Sequence, residues 1–148
     1  MSIEDEMQSR IRELKSKRVQ IMDSFTNIED LANFLAQADV LVLPLADFKT
    51  PYRGMSSKLY EYQAVGKPII CCSNGLPKTY IEETNSGIAI NPGDYENLAK
   101  AILKLKQNPF LAKTYGENGR KEIETEISIE AIGSKMNEVF NDQLHYDN

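Results

Sequence analysis

Apolar and polar positions alternate between two periods along this chain. Val40–Leu45 and Ile69–Cys72 are short continuous apolar runs bounded by Pro, Gly and polar residues, the mark of strands buried on both faces. Gly87–Asn91 is a third such run, closed by Pro92 and Gly93, and Arg18–Met22 predicts a fourth strand. Between and beyond them the apolar residues recur every three or four positions, the period of amphipathic helices. That spacing predicts helices over Glu4–Lys17, Ile28–Gln37, Lys58–Val65, Lys78–Glu83 and Glu96–Lys106. A further helix runs from Pro109 to about Glu124, weakened near Gly116 and Gly119, and a last one from Ser128 to about Asn141. Asn27, Asp94 and Ser128 are placed to cap helices, and Gly66 to end one. Strand–helix alternation followed by helices predicts an α/β fold: a Rossmann-like parallel sheet of about four strands with helices on both faces.

The densest stretch chemically runs from Val40 to Ser73. A loop of about ten residues leaves the carboxyl end of the first long strand and enters a helix N-terminus, where free N–H groups favour an anion. Gly54 lets the backbone approach a ligand closely, and Ser56 and Ser57 offer either a cap or hydroxyls for a phosphate. Lys58 falls in the first helical turn, where the dipole disfavours a cation unless an anion sits beside it. Glu61 lies one turn on, at a height suited to a ribose diol. Taken singly, each has an ordinary structural reading: a cap, a solvated lysine, an exposed glutamate.

Apolar residues make up 41% and charged residues 26%, ordinary for a soluble globular chain, and the net charge of −5 argues against a general nucleic-acid binder. Lys49, Arg53 and Lys58 still allow a local basic pocket. No apolar run approaches the roughly twenty residues that span a membrane, and no signal peptide is recognisable. A cytoplasmic setting, at most peripheral to a membrane, is expected. Cys71 and Cys72 adjoin in a strand, so they point to opposite faces and read as core thiols. One His and two Cys without ligand spacing predict no protein metal site, and His145 lies in the tail. Residues 1–141 are expected to form one domain and 142–148 a frayed tail.

The segment SSKLYEYQAVGKPII resembles the SK-L/F-x-EYMAxGKPVI segment of family-4 (group 1) glycosyltransferases, in the carboxyl-terminal domain of the GT-B fold. ADVLVLP, at residues 38–44, resembles that family's ADVxVLPS strand, and GIAINPGD, at residues 87–94, its GLLVPPGD. The resemblance runs from about Arg18 to Phe140 and implies a partial GT-B carboxyl-terminal domain that binds a nucleoside-diphosphate sugar. By the same resemblance the sugar passes to an acceptor hydroxyl, with retention, in polysaccharide, glycolipid or glycoprotein synthesis. The donor is a substrate, and no further cofactor is implied.

The resemblance places the ribose on Glu61 and the diphosphate on the backbone at Ser56 and Ser57, with Gly54 and Lys58 alongside. Ser24 and Phe25 fall in the loop that receives the base, although Phe25 reads equally as core. Where the family carries a sugar-contacting Glu, this chain has Arg53. The resemblance also implies two earlier strands and a helix bearing an Arg and a Lys, which the sequence does not show before Glu4. Without them the Val40 strand is expected to be an apolar sheet edge. Three outcomes are then open: the Arg18 strand slides in beside it, the chain self-associates, or a companion polypeptide covers it. No general base is apparent. Two other readings stay open, a non-catalytic nucleotide-binding or regulatory remnant, and another Rossmann-like binder such as an epimerase of GT-B architecture.

Overall fold

The computed structural model describes residues 3–13, 18–22, 24–45 and 54–144. The chain divides into two compact units, Met1–Leu31 and Ala32–Asn148. In the first, α1 (Ile3–Glu13) is a largely exposed helix whose Arg10 and Glu13 pair at 3.2 Å. The strand expected at Arg18–Met22 does not form: these residues are irregular, with Val19 and Met22 about half exposed. A strand is stable only within a ladder, and no described strand lies beside this one. Asn27 Oδ1 accepts from Glu29 N at 2.8 Å and caps α2 (Ile28–Ala36), whose Glu29 and Asp30 suit the positive end of the helix.

The second unit holds β1 (Leu41–Pro44), α3 (Ser57–Ala64), β2 (Ile69–Cys72), α4 (Leu76–Thr84) and β3 (Gly87–Ile90). Then follow α5 (Tyr95–Gln107), α6 (Pro109–Glu122), a π-helical turn (Ile123–Ile127) and α7 (Ile129–Leu144). The three strands are parallel in the order β1-β2-β3, with Leu41, Ile69 and Gly87 in register. The sheet therefore has three strands, not four, and β1 is an edge among the described residues.

Alternation across β2 separates two cores. Ile69 and Cys71 pack with Leu43, Leu59 and Ile81 on the side of α3 and α4. Ile70 packs with Ala101 and Leu105 of α5 on the other. Cys71 and Cys72 thus lie on opposite faces, both buried and free, as the strand period requires.

Four helix starts carry the caps their sequences offer. Asp94 accepts from Asn97 N (3.0 Å), Asn108 from Leu111 N (3.1 Å) and Ser128 from Ala131 N (3.1 Å), besides Asn27. The expected weakness near Gly116 and Gly119 is absent, and α6 runs unbroken. Both glycines are buried, and they let α6 press against the end of α3. A Cβ on Gly116 would stand 2.2 Å from the carbonyl oxygen of Gly66. Gly66 itself ends that region at φ +68, a conformation suited to glycine. α7 continues through Leu144, and residues 145–148, with His145, lie outside the described part. Its stripe of Ile132, Met136, Val139 and Phe140 is exposed. No described helix is long and apolar enough to cross a membrane.

Candidate functional site

In a parallel sheet the strand ends and the following helix N-termini converge on the carboxyl edge, the usual ligand side of such folds. Here α3 and α4 start at that edge, after β1 and β2. Unlike the four capped helices, neither start is closed by a side chain. Ser56 stands at the N-cap of α3 in an extended conformation (φ −83, ψ 126), yet its hydroxyl makes no cap bond. Gly75, at the N-cap of α4, has no side chain to offer. Both helices therefore present uncapped N–H groups, and neither has an acidic residue in its first turn.

The two faces of α3 are sharply different. Leu59 and Gln63, one turn apart, are fully buried. Ser57, Lys58 and Glu61 are exposed on the other side, in the first two turns, with Ser56 half-buried at the start. Met55 packs on the core cluster beneath and fixes the approach of the loop. The structure therefore brings Gly54, Ser56, Ser57, Lys58 and Glu61 onto one continuous strip. Arg53, like Lys49, lies outside the described residues. Ser24 and Phe25 are exposed residues of the first unit.

Sequence reasoning missed what holds the strip. Gln63 Nε2 donates to Ser86 Oγ at 3.0 Å, and Tyr80 OH donates to Gln63 Oε1 at 3.2 Å. The Tyr80 hydroxyl also meets Glu122 at 3.3 Å, and Ser86 Oγ meets Thr84 Oγ1 at 2.8 Å. This network joins α3, α4, the start of β3 and the end of α6, and every buried side-chain polar atom described finds a partner. Burial and then the charge of Glu122 push the Tyr80 hydroxyl pKa up, and burial, followed by Glu61, does the same for Tyr62. Arg120 donates to the carbonyl of Ala64 in the last turn of α3 and pairs with Glu124 at 2.6 Å. The available signal was Gln63 itself, an amide one turn after Leu59 on the face that must be buried. Among the described residues no cluster of His, Cys, Asp or Glu could hold a metal ion.

A three-stranded parallel sheet with helices on both faces and uncapped helix starts at its carboxyl edge defines a Rossmann-like α/β domain. The chain belongs to the glycosyl transferases group 1 family, whose model matches residues 2–122. It is 28% identical over 114 residues to a GDP-mannose-dependent monoacylated alpha-(1-6)-phosphatidylinositol monomannoside mannosyltransferase of Corynebacterium glutamicum, covering 75% of this chain and 29% of that protein. It is 26% identical over 115 residues to the capsular polysaccharide biosynthesis glycosyltransferase CapM of Staphylococcus aureus, again covering 29% of the relative and 78% of this chain. Among solved structures it is similar to sucrose-phosphate synthase from Thermosynechococcus elongatus, with a TM-score of 0.77 and 26% identity over 97% of this chain and 35% of that one. It also shares the fold of Anabaena HepE in complex with UDP-glucose, with a TM-score of 0.72 and 19% identity over 93% of this chain and 36% of that one. The chain thus spans 29% to 36% of the length of these four proteins.

Proposed function

We propose that this chain supplies the nucleotide-sugar-binding part of a group 1 glycosyltransferase. The observation that carries the reading is the strip on α3: an uncapped N-terminus, Lys58 in its first turn and Glu61 one turn on, all on the exposed face. The free N–H groups and Lys58 receive the diphosphate, and the Glu61 carboxylate accepts hydrogen bonds from both ribose hydroxyls. Gly54, where the chain enters the strip, lies toward the sugar. The departing diphosphate gains negative charge as the glycosidic bond breaks, so a fixed helix N-terminus stabilises the transition state more than the ground state. Positioning of donor against acceptor supplies the rest. The acceptor site, and cover for the β1 edge, come from outside the described residues.

A second reading, nucleotide binding without transfer, draws support from Arg53, a cation where the family carries a carboxylate. Relatives include a GDP-mannose-dependent enzyme and a protein crystallised with UDP-glucose, so both bases enter the test. Calorimetric titration with UDP, GDP and their sugar forms should show one base preferred. Glu61→Ala should weaken that base about tenfold or more, the scale of charge-assisted hydrogen bonds to a diol. Equal binding by wild type and variant would remove Glu61 from the site. Binding without sugar transfer, in the presence of the companion, would favour the second reading.

A further inference from the structure

The far edge of the sheet carries an arrangement that the donor site does not use. β3 is the other edge strand among the described residues. Its ladder bonds to β2 are bracketed by Ile69 N to Ser86 O (3.3 Å) and Ser73 N to Ile90 O (3.0 Å), so even-numbered residues face β2. The backbone groups of Gly87 and Ala89 therefore point outward. Ile88, Ala89 and Ile90 line a groove of about 350 Å³ whose walls include Lys78 of α4 and Lys100 and Lys104 of α5.

Lys78 and Lys100 are placed at an electrostatic cost, whereas Lys104 lies in the last turn of α5, where the dipole favours a cation. Lys78 occupies the first turn of α4, the positive end of the dipole. Lys100 and Lys104 stand one turn apart on α5, a like-charge pair that weakens an isolated helix. No salt bridge among the described residues neutralises any of the three. Asp94, the acidic residue of the groove, is already held by Asn97 N at 3.0 Å and Asn97 Nδ2 at 2.6 Å. In a chain of net charge −5, three lysines without a salt bridge among the described residues converge on an open strand edge, and only Lys100 feels the Asp94 carboxylate.

We propose that this edge docks an acidic, extended segment of a partner protein, which adds to β3 as a further strand while its carboxylates meet Lys78, Lys100 and Lys104. Unpaired strand groups call for another strand, and lysines on both faces of the edge call for acidic side chains on both faces of that strand. A second copy of this chain is disfavoured, because pairing β3 with β3 would set lysines against lysines. The partner is thus a different, acidic sequence.

The test is fluorescence anisotropy with a labelled peptide of repeated Glu-Glu-Val-Val, about ten residues long, which as a strand places glutamates on both faces. A second peptide of the same sequence is methylated on alternate backbone nitrogens, which keeps the charge and removes the strand bonds. The full chain should bind the first peptide, more weakly as salt rises. The exposed double variant K100E/K104E, and separately Lys78→Glu, should each lose about tenfold in affinity, with circular dichroism unchanged. The methylated peptide should not bind. Equal binding of both peptides would reduce the effect to diffuse charge attraction and overturn the proposal. Unchanged binding by the lysine variants, or no binding at low salt, would also overturn it and leave the lysines as guards of an edge.

Discussion

Replacing Gly116 by alanine sets two opposed effects against each other. In an ordinary helix interior the change stabilises by up to about 1 kcal/mol, because glycine has more backbone freedom to lose. Here the new Cβ would lie 2.2 Å from the Gly66 carbonyl oxygen and 2.9 Å from its carbon, both backbone atoms. Ordinary carbon–oxygen contacts start near about 3.3 Å, so α6 and the end of α3 must part by roughly 1 Å. Parting them loosens the contact of Gly119 with Gln63, where a Cβ has 3.1 Å, and the Arg120 bond to Ala64. Such overpacking costs about 1–3 kcal/mol and the lost bond about 1. After the helix gain, a net loss of about 1–3 kcal/mol remains, and Tm should fall by about 3–10 °C. The control is Gly133→Ala on α7, where nothing lies within 4 Å of the new Cβ and the sign should reverse. Thermal unfolding followed by circular dichroism reads both. A Gly116→Ala protein as stable as wild type would refute the close-packed seam.

Gln63 gives a second test, in urea denaturation. Gln63→Leu fills the site and leaves Ser86 and Tyr80 with Thr84 and Glu122, for a loss of about 1–2 kcal/mol, whereas Gln63→Ala adds a cavity and should lose about 2–4; equal losses would contradict the network. Cys71 predicts alkaline lability. Burial, and then Cys72, push its thiol from an ordinary 9.0 up to about 12, so the folded chain holds the proton longer than the unfolded one. Stability is intact below about pH 9 and falls by at most about 1.4 kcal/mol per unit as pH rises toward 12. Cys72, Tyr62 and Tyr80 shift in the same direction. Urea midpoints that stay level from pH 8 to beyond about pH 10 would rule this out.

How far the fold was legible depended on whether the deciding interaction was local. Val40–Leu45, Ile69–Cys72 and Gly87–Asn91 read correctly as strands because a buried parallel strand is continuously apolar. Asn27, Asp94 and Ser128 read correctly as caps because a cap acts within three residues. Arg18–Met22 misled because its composition suits a strand while a ladder partner cannot be read from the segment itself. Gly116 and Gly119 misled in the opposite sense. Propensity marks them as weak points, but their reasons lie far off in sequence: the Gly66 backbone for Gly116, and the Gln63 and Ser86 side chains for Gly119. The α3 strip was visible as SSKLYE because helix period and turn chemistry suffice to place it. Its support was not, since Ser86, Tyr80 and Glu122 reach Gln63 from three other elements.

That support links the seam to the site. α3 has only eight residues, too short to hold its own orientation, so its exposed face points where its buried face is fixed. Leu59 fixes one end against the sheet, the Gln63 network fixes the middle, and Gly66, Gly116 and Arg120 fix the carboxyl end. A hydrogen bond from a diol hydroxyl to a carboxylate weakens steeply with misalignment. A shift of about 1 Å at the seam should therefore reach Glu61 as a change in nucleotide affinity, although Gly116 is on another helix. Gln63 shows why the buried face is polar at this point. An apolar side chain there could slide along its neighbours at little cost, whereas an amide bonded to Ser86 and Tyr80 permits one rotation of the helix. The chain thus accepts the desolvation of a buried amide in exchange for a defined direction of Lys58 and Glu61.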